Sequence, residues 1–240
     1  MDDERRLRID LAACYRLIAL FGWDDLVFTH VSVRLPGQDA FLINPYGRLF
    51  DEITASSLVK VDAHGNKISE SPHPVNPAGF VIHSAVHEAR PETGCVMHLH
   101  TEAGMAVAML AGGLRPVSQH AMRFYDRIAY HDFEGLALDA DEKTRLVADL
   151  GRHDAMILRN HGLLTCGATV AAAYVRMFYL EKSAVAQLKA MATGDTITVP
   201  PPEICEKSAR QFEADNVPIG TREWPSLLRR LDREDPGYRS

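Results

Sequence analysis

The sequence has few cysteines and no long apolar run. Its four cysteines are scattered through 240 residues, and no two stand in a C-x-x-C pair. This usage is typical of reduced, mostly buried thiols. No window holds 18 consecutive apolar residues, so no segment is predicted to span a membrane. The N-terminal segment lacks the apolar core of a signal peptide, and we therefore predict a cytoplasmic protein.

The sequence also has fewer basic than acidic residues. Lys and Arg total 26 against 32 Asp and Glu, which gives a net charge of -6. Because phosphate binding needs a basic surface, this balance predicts no nucleic-acid partner. The content of 46% hydrophobic and 24% charged residues is ordinary for a globular protein and excludes a disordered chain. What is unusual is the number of histidines, eleven.

The spacing of apolar residues predicts alternating helices and strands. A helix over residues 3–21 has apolar side chains at steps of three and four, and Gly22 is expected to end it. Residues 28–34 alternate as a half-buried strand with His30 on the polar face. Further strands are predicted at 40–44, 58–62, 94–100, 128–131 and 155–159, and further helices at 76–90, 101–110, 141–151 and 169–192. Because the early strands look antiparallel, we predict an α/β fold with a mixed sheet covered by helices.

A change of composition near residue 199 divides the chain. Residues 1–198 are expected to form the main domain, and residues 199–240 a C-terminal helical arm that starts at a proline-rich turn. The arm is predicted to hold two short helices. It can pack on a neighbouring subunit or on its own domain, and the sequence leaves both alternatives open.

The strongest functional signal is the sequence V-M-H-L-H-T at residues 96–101. Residues i and i+2 of a strand share a face, so His98 and His100 can converge on one metal ion. His161 is a third candidate, just past another apolar strand where Gly162 permits a sharp turn. Three histidines with an open fourth position are typical of a catalytic metal site. An H-x-H pair by itself is also found among surface and core histidines.

The histidines belong to three ordered segments of the chain. These read F-L-I-N-P-Y-G-R-L-F-D-E-I-T-A-S-S-L-V-K-V-D at 41–62, N-P-A-G-F-V-I-H-S-A-V-H-E-A-R-P-E-T-G-C-V-M-H-L-H-T at 76–101, and L-R-N-H-G-L-L-T-C-G at 158–167. Together they resemble the class II aldolase/adducin head domain family over roughly residues 5–195. The resemblance implies a three-layer α/β/α sandwich with a central mixed, largely antiparallel sheet. It also implies a homotetramer with metal sites near the subunit interfaces.

The resemblance also assigns the metal ligands by position. His98, His100 and His161 match the three metal-binding histidines of the family. The expected cofactor is a divalent metal ion, in the first place Zn²⁺, with Fe²⁺, Mn²⁺ or Co²⁺ as alternatives.

The chain departs from the sugar-phosphate aldolases of this family where they hold a catalytic glutamate. That glutamate, a metal ligand and proton-transferring base, lies four residues before the position of His83, and here the residue is Gly79. The small, hydroxyl-rich phosphate nest is altered too, with His30, Asn44 and Tyr46 at its positions. We therefore expect an unphosphorylated substrate, with aromatic acids among the candidates. His30 and Asn44 are the predicted substrate-binding residues. The alternative for His30 is a side chain that faces solvent.

A second group of candidates follows Pro116. In sugar-phosphate aldolases of the family, a tyrosine of the neighbouring chain supplies a proton near here; by offset His120 takes its place, and Tyr125 is another phenol within reach. We predict catalytic roles for His120 and Tyr125, and a substrate-carboxylate anchor at Arg123. The alternative is an interface loop with ordinary polar contacts. His83 is interpreted as a residue that packs behind the site.

Together these features predict a metal-dependent lyase that cleaves a carbon–carbon bond of a small carbonyl or hydroxy acid. A metal ion polarises a carbonyl, and loss of carbon dioxide needs no glutamate to remove a C–H proton. Gly79 therefore favours decarboxylation or retro-aldol cleavage. Two alternatives stay open: a non-haem iron oxygenase of the same fold, and an adducin-like non-catalytic interaction module.

Overall fold

A seven-stranded sheet is the centre of the structure, a computed structural model that describes residues 3–135 and 140–240 apart from the side chains of residues 77–81, 140 and 141. The strands are β1 (His30–Arg34), β2 (Phe41–Ile43), β3 (Val59–Val61), β4 (Cys95–Leu99), β5 (Ala129–His131), β6 (Ala155–Leu158) and β7 (Gly162–Gly167). Their order is β3-β2-β1-β4-β7-β6-β5. Neighbours run antiparallel except β5 and β6, which run parallel. The predicted mixed, largely antiparallel sheet is confirmed.

Helices cover both faces of this sheet. They are α1 (Asp3–Leu20), α2 (Pro77–Ala89), α3 (Glu102–Ala108), α4 (Ala140–Leu150), α5 (Val170–Met191), α6 (Pro202–Glu213) and α7 (Glu223–Glu234). Apolar residues of α1, α3 and α5 pack on one face, and those of α2 and α4 on the other. This is the predicted three-layer α/β/α sandwich. None of the helices among the described residues is long and apolar enough to cross a membrane.

Strand β1 is buried on both faces, which corrects the prediction of a half-buried strand. Val31 and Val33 lie in the apolar core formed with α1 and α5. The opposite face carries His30 and Ser32, and both are buried as well. The reason is that α2 packs on this face of β1 and its neighbour β4. Alternation along a strand shows which residues share a face, but it does not show whether a helix covers the polar face.

The hairpin of β6 and β7 differs from the sequence prediction, which had no strand after residue 159 and a sharp turn at Gly162. The residue in the left-handed region is Asn160, with φ of 56°. Asparagine tolerates this conformation better than most residues with a side chain. Gly162 instead permits a close approach, because a Cβ there would lie 2.5 Å from the carbonyl oxygen of Leu99.

The segment after residue 199 packs on its own chain. Helix α6 lies against the 3₁₀ turn Ala121–Phe124, and α7 against α1 and α5. Trp224 donates a hydrogen bond to Asp10 over 3.0 Å. Of the two alternatives for this arm, the structure shows contacts with the chain's own helices.

We expect Gly162→Ala to destabilise the protein, because its methyl group would press on the Leu99 carbonyl and lie 3.1 Å from the His100 ring. The free energy of unfolding should fall by about 1–3 kcal/mol in chemical denaturation. Gly112→Ala is the matched control, since no atom lies within 4 Å of its added methyl group. Equal stability of the two variants would contradict the close approach.

Candidate metal centre

Three imidazoles meet at one edge of the sheet. Strands β4 and β6 both run antiparallel to β7, so their carboxyl ends lie at the same edge. His98 and His100 stand at the end of β4, and His161 follows β6. Their ring centroids are 4.7–4.8 Å apart, and Nε2 of His98 lies 3.1 Å from Nε2 of His100. The sequence predicted that these three residues converge, and the structure brings them together.

The contacts behind two of these rings leave the facing nitrogens free for a metal ion. Nδ1 of His98 lies 3.0 Å from the carbonyl oxygen of Leu163, and Nδ1 of His100 lies 2.9 Å from a carboxylate oxygen of Asp25. Both oxygens can only accept, so each Nδ1 donates and each Nε2 keeps its lone pair. Metal-binding histidines show this pattern of support. The donor set therefore fits a divalent metal ion.

Two imidazoles of this centre, those of His98 and His161, are held neutral. Burial disfavours the charged ring and sets the pKa of His98 well below its ordinary value, and the neighbouring His161 lowers it further. Burial, followed by the neighbouring His100, lowers the pKa of His161 to about 4. Since only an unprotonated imidazole binds a metal ion, both rings are ready for coordination at neutral pH.

Asp25 was not found by the sequence analysis, although it supports His100. It lies in the connection from α1 to β1, where Leu26 has φ of 51° and Thr29 has φ of 65°. The left-handed conformation costs a residue with a side chain about 1–2 kcal/mol. Such strain persists where the surrounding structure enforces it, commonly beside functional sites. No local spacing relates Asp25 to His100, so the sequence held no signal for the pair.

His30 lies beside the metal centre on the same face of the sheet. It is directly opposite His98 in the pairing of β1 with β4, which places the two side chains next to each other. It is 4% exposed, so the alternative of a solvent-facing side chain is wrong. Its ring centroid is 6.2 Å from that of His83, which is fully buried on α2 one helical turn beyond Gly79.

Asn44, the other predicted substrate-binding residue, is buried at the end of β2 with 1% exposure. Its Oδ1 lies 3.0 Å from the hydroxyl of Tyr15, while its Nδ2 has no hydrogen-bond partner among the described residues. The amide of Val31 donates to the same tyrosine oxygen over 2.7 Å. Tyr15 thus connects Asn44 to β1 from within the core.

His120, Arg123 and Tyr125 lie at the opposite edge of the sheet. Their segment precedes β5, and Arg123 lines a cleft of about 1060 Å³ together with residues 153–155 at the start of β6. The four residues of β6 separate that end from His161 by roughly 13 Å. Within one chain, the structure therefore does not bring this group together with the three histidines.

Aromatic rings contact two residues of this second group, His120 and Arg123. The Arg123 guanidinium lies 4.1 Å from the ring centre of Tyr179 and 3.8 Å from that of Phe212. The His120 ring centroid is 4.9 Å from that of Tyr179. These contacts hold the Arg123 guanidinium against the faces of Tyr179 and Phe212, which line the same cleft.

A buried histidine, His131, lies between two carboxylates next to the metal centre. This group of three residues was not predicted from the sequence. Nδ1 of His131 lies 2.7 Å from Asp149, and its Nε2 lies 3.8 Å from Glu142. His131 and His161 line the same small cavity. Positions 142 and 149 are seven residues apart on α4 and so share a helix face, a spacing that could have indicated the pair.

Comparison with known proteins agrees with this geometry. The model of the Class II Aldolase and Adducin N-terminal domain matches residues 9–188. A protein of Caulobacter vibrioides whose name assigns it to the class 2 aldolases is 50% identical over 237 residues, which cover 98% of this chain and 92% of that protein. Alpha-adducin of Mus musculus is 38% identical over 253 residues, which cover 99% of this chain but 34% of the adducin.

Solved structures show the same fold. An aldolase II superfamily protein from Pseudomonas syringae superposes with a TM-score of 0.96 at 46% identity, covering 100% of this chain and 97% of that one. An L-fuculose 1-phosphate aldolase from Glaciozyma antarctica PI12 gives a TM-score of 0.88 at 29% identity, covering 99% and 93%. The chain therefore belongs to the class II aldolase and adducin N-terminal domain family.

Proposed function

We propose that this protein is a metal-dependent lyase that cleaves a carbon–carbon bond of a small, unphosphorylated carbonyl or hydroxy acid. The observation that carries the proposal is the convergence of His98, His100 and His161, with the metal-facing nitrogens of His98 and His100 free. Three protein ligands are typical of a catalytic metal site, whereas a structural site has four. A relative named as an aldolase shares the fold over nearly the whole chain.

The three imidazoles would hold a divalent metal ion, and we propose Zn²⁺. Bound there, such an ion supplies Lewis-acid polarisation of a carbonyl oxygen. The protein's own contribution is orientation. Asp25 and the Leu163 carbonyl fix the rings of His100 and His98 through their Nδ1 atoms, so that both rings aim at one point.

The residues around the centre favour cleavage without removal of a C–H proton. Gly79 offers no carboxylate as a base. When a carboxylate group leaves as carbon dioxide, the electron pair of the broken bond stays on the substrate carbon, and no base is needed at this step. Decarboxylation is thus compatible with glycine at position 79. Buried, neutral His30 beside the centre supports an unphosphorylated substrate, since a phosphate dianion is stabilised by cationic or N–H-rich surroundings.

We further propose that His120, Arg123 and Tyr125 act on the metal centre of another subunit in a homotetramer. Their distance from the three histidines of their own chain supports an action between subunits. Arg123 forms no ion pair among the described residues, and its Nε is buried without a hydrogen-bond partner among them, so its charge is available for a substrate carboxylate. His120 would donate or accept a proton, and Tyr125 is the nearby alternative.

An adducin-like interaction module is the second candidate. It is favoured by 38% identity to alpha-adducin over 99% of this chain. The metal content of protein purified without chelators separates the candidates. One metal ion per chain supports the lyase, iron with oxygen consumption supports the oxygenase of this fold, and a metal-free protein supports the module.

The first test concerns the metal ligands. His98→Ala or His161→Ala should abolish most metal binding in elemental analysis and leave circular dichroism unchanged, because the apolar core does not depend on these rings. Asp25→Asn should lower zinc affinity about 10–100-fold through loss of support for His100. His64→Ala, in an exposed turn, is the control. Full metal content in both ligand variants would refute the assignment.

The second test concerns the substrate. Zinc-loaded protein should decarboxylate or cleave members of a panel of hydroxylated aromatic acids, keto acids and hydroxy acids, followed by release of carbon dioxide or aldehyde. Fuculose, rhamnulose and ribulose phosphates, screened beside them, should not be turned over. Cleavage of any of these sugar phosphates at about 1 s⁻¹ or faster would overturn the proposal of an unphosphorylated substrate.

The third test concerns the shared site. Light scattering should give about four times the chain mass of 26.6 kDa. Inactive His98→Ala and His120→Ala proteins, unfolded and refolded as a mixture, should regain about a quarter of the wild-type activity, because a random tetramer ring restores one site in four. Each variant refolded alone is the control. A mixture as inactive as its components would place both residues in one subunit's site.

A further inference from the structure

A chain of hydrogen bonds runs through the polar face of β1 under α2. The Oγ of Ser32 lies 2.7 Å from Nδ1 of His83 and 2.9 Å from Nε2 of His87. Nδ1 of His87 lies 3.3 Å from the carbonyl oxygen of Thr93. All four residues are buried, and the two imidazoles are completely inaccessible to solvent. Their protons are therefore arranged by these contacts and not by water.

The Thr93 carbonyl at one end of this series of hydrogen bonds determines which atom donates in each of them. A carbonyl oxygen only accepts, so Nδ1 of His87 donates to Thr93, and Nε2 of the neutral ring keeps a lone pair. That lone pair accepts from the single hydroxyl proton of Ser32. The serine oxygen must then accept from Nδ1 of His83. At the far end, Nε2 of His83 is therefore a bare acceptor.

This acceptor has no donor among the described residues. Nε2 of His83 and Nε2 of His30 are both buried and both without a hydrogen-bond partner. His30 is 4% exposed and His83 is fully buried. Buried polar atoms in folded proteins nearly always have a partner, so two orphaned nitrogens on adjoining rings indicate a group that both of them contact.

We propose that His30 and His83 together bind one uncharged hydroxyl group, a water in the resting protein and a substrate hydroxyl in the complex. The hydroxyl donates to Nε2 of His83 and accepts from an N–H at Nε2 of His30. His83 is the specificity-determining residue, because the Ser32–His87–Thr93 chain leaves it only as an acceptor. A carboxylate or phosphate oxygen, which has no proton to donate, is disfavoured there.

The position of the pair relates this hydroxyl to the metal centre. His30 is the cross-strand neighbour of His98, and His83 is one helical turn from Gly79. The inference rests on the proposed function only where it identifies the ligand as a metal-bound acid. A substrate whose carboxylate and α-oxygen reach the metal would present a further hydroxyl, one carbon along, to the two histidines. The proposed substrate class thereby narrows to acids with a second hydroxyl group.

Histidine side-chain NMR tests the direction of these hydrogen bonds without any substrate. In long-range ¹H–¹⁵N spectra of ¹⁵N-histidine-labelled, metal-free protein at neutral pH, His83 should carry its proton on Nδ1 and none on Nε2. Ser32→Ala removes the acceptor of that proton and should mix the two tautomers of His83. A proton on Nε2 of His83 in the wild type, or an unchanged tautomer in Ser32→Ala, would overturn the proposal.

Calorimetry with a matched pair of acids tests the hydroxyl. Glycerate differs from lactate by one hydroxyl at the next carbon, and both chelate a metal through the same atoms. Zinc-loaded wild type should bind the preferred enantiomer of glycerate about tenfold more tightly than the matching lactate. His83→Asn should abolish this preference, since an asparagine amide can still donate to Ser32 but has no atom at the place of Nε2. His64→Asn, in an exposed turn, should keep it.

The outcomes separate this inference from the proposed function. Equal binding of glycerate and lactate by the wild type, or an undiminished preference in His83→Asn, would refute the hydroxyl site while the lyase stands. Binding of neither acid to the zinc-loaded protein would count against the lyase and against a substrate hydroxyl on His83. The tautomer spectra would then still decide whether His83 is an acceptor.

Discussion

Burial of imidazole rings between the sheet and α2 is the constraint on which the rest of the site depends. Leaving one buried polar atom without a partner costs about 1–3 kcal/mol. Ser32 and the carbonyls of Thr93 and Leu163 offset this cost by directing the protons of three buried rings, His83, His87 and His98. Asp25 does the same for the partly buried ring of His100. Because each of these partners contacts Nδ1 or Nε2 selectively, burial also decides which nitrogen of each ring is left for a ligand.

The strained connection before β1 shows the same principle outside the regular elements. Leu26 and Thr29 adopt left-handed conformations, and Asp25 between α1 and β1 thereby reaches His100. His30 follows this connection directly and is the cross-strand neighbour of His98, so the same segment also places a second ring beside the three histidines.

Several elements were predictable because their signals are local. The i, i+2 spacing of His98 and His100 indicates one face of a strand, and the apolar steps of α1 and α5 indicate helices within one or two residues of their ends. Strand β7 was not predicted, since its short apolar run between glycines shows no alternation. Asp25 and the His83–Ser32 contact were not predictable either, because the partners are 75 and 51 residues apart.

The sequence by itself determined the fold class, the family and the three histidines with metal-ligand spacing, because periodicity and motif order are properties of neighbouring residues. Only the tertiary structure decided which polar residues are buried, which nitrogen the rings of His83, His98 and His100 present, and that Arg123 and His161 lie at opposite edges of the sheet. The physical reason is that hydrogen-bond direction and burial depend on atoms brought together by strand pairing and helix packing. No spacing along the chain encodes those contacts.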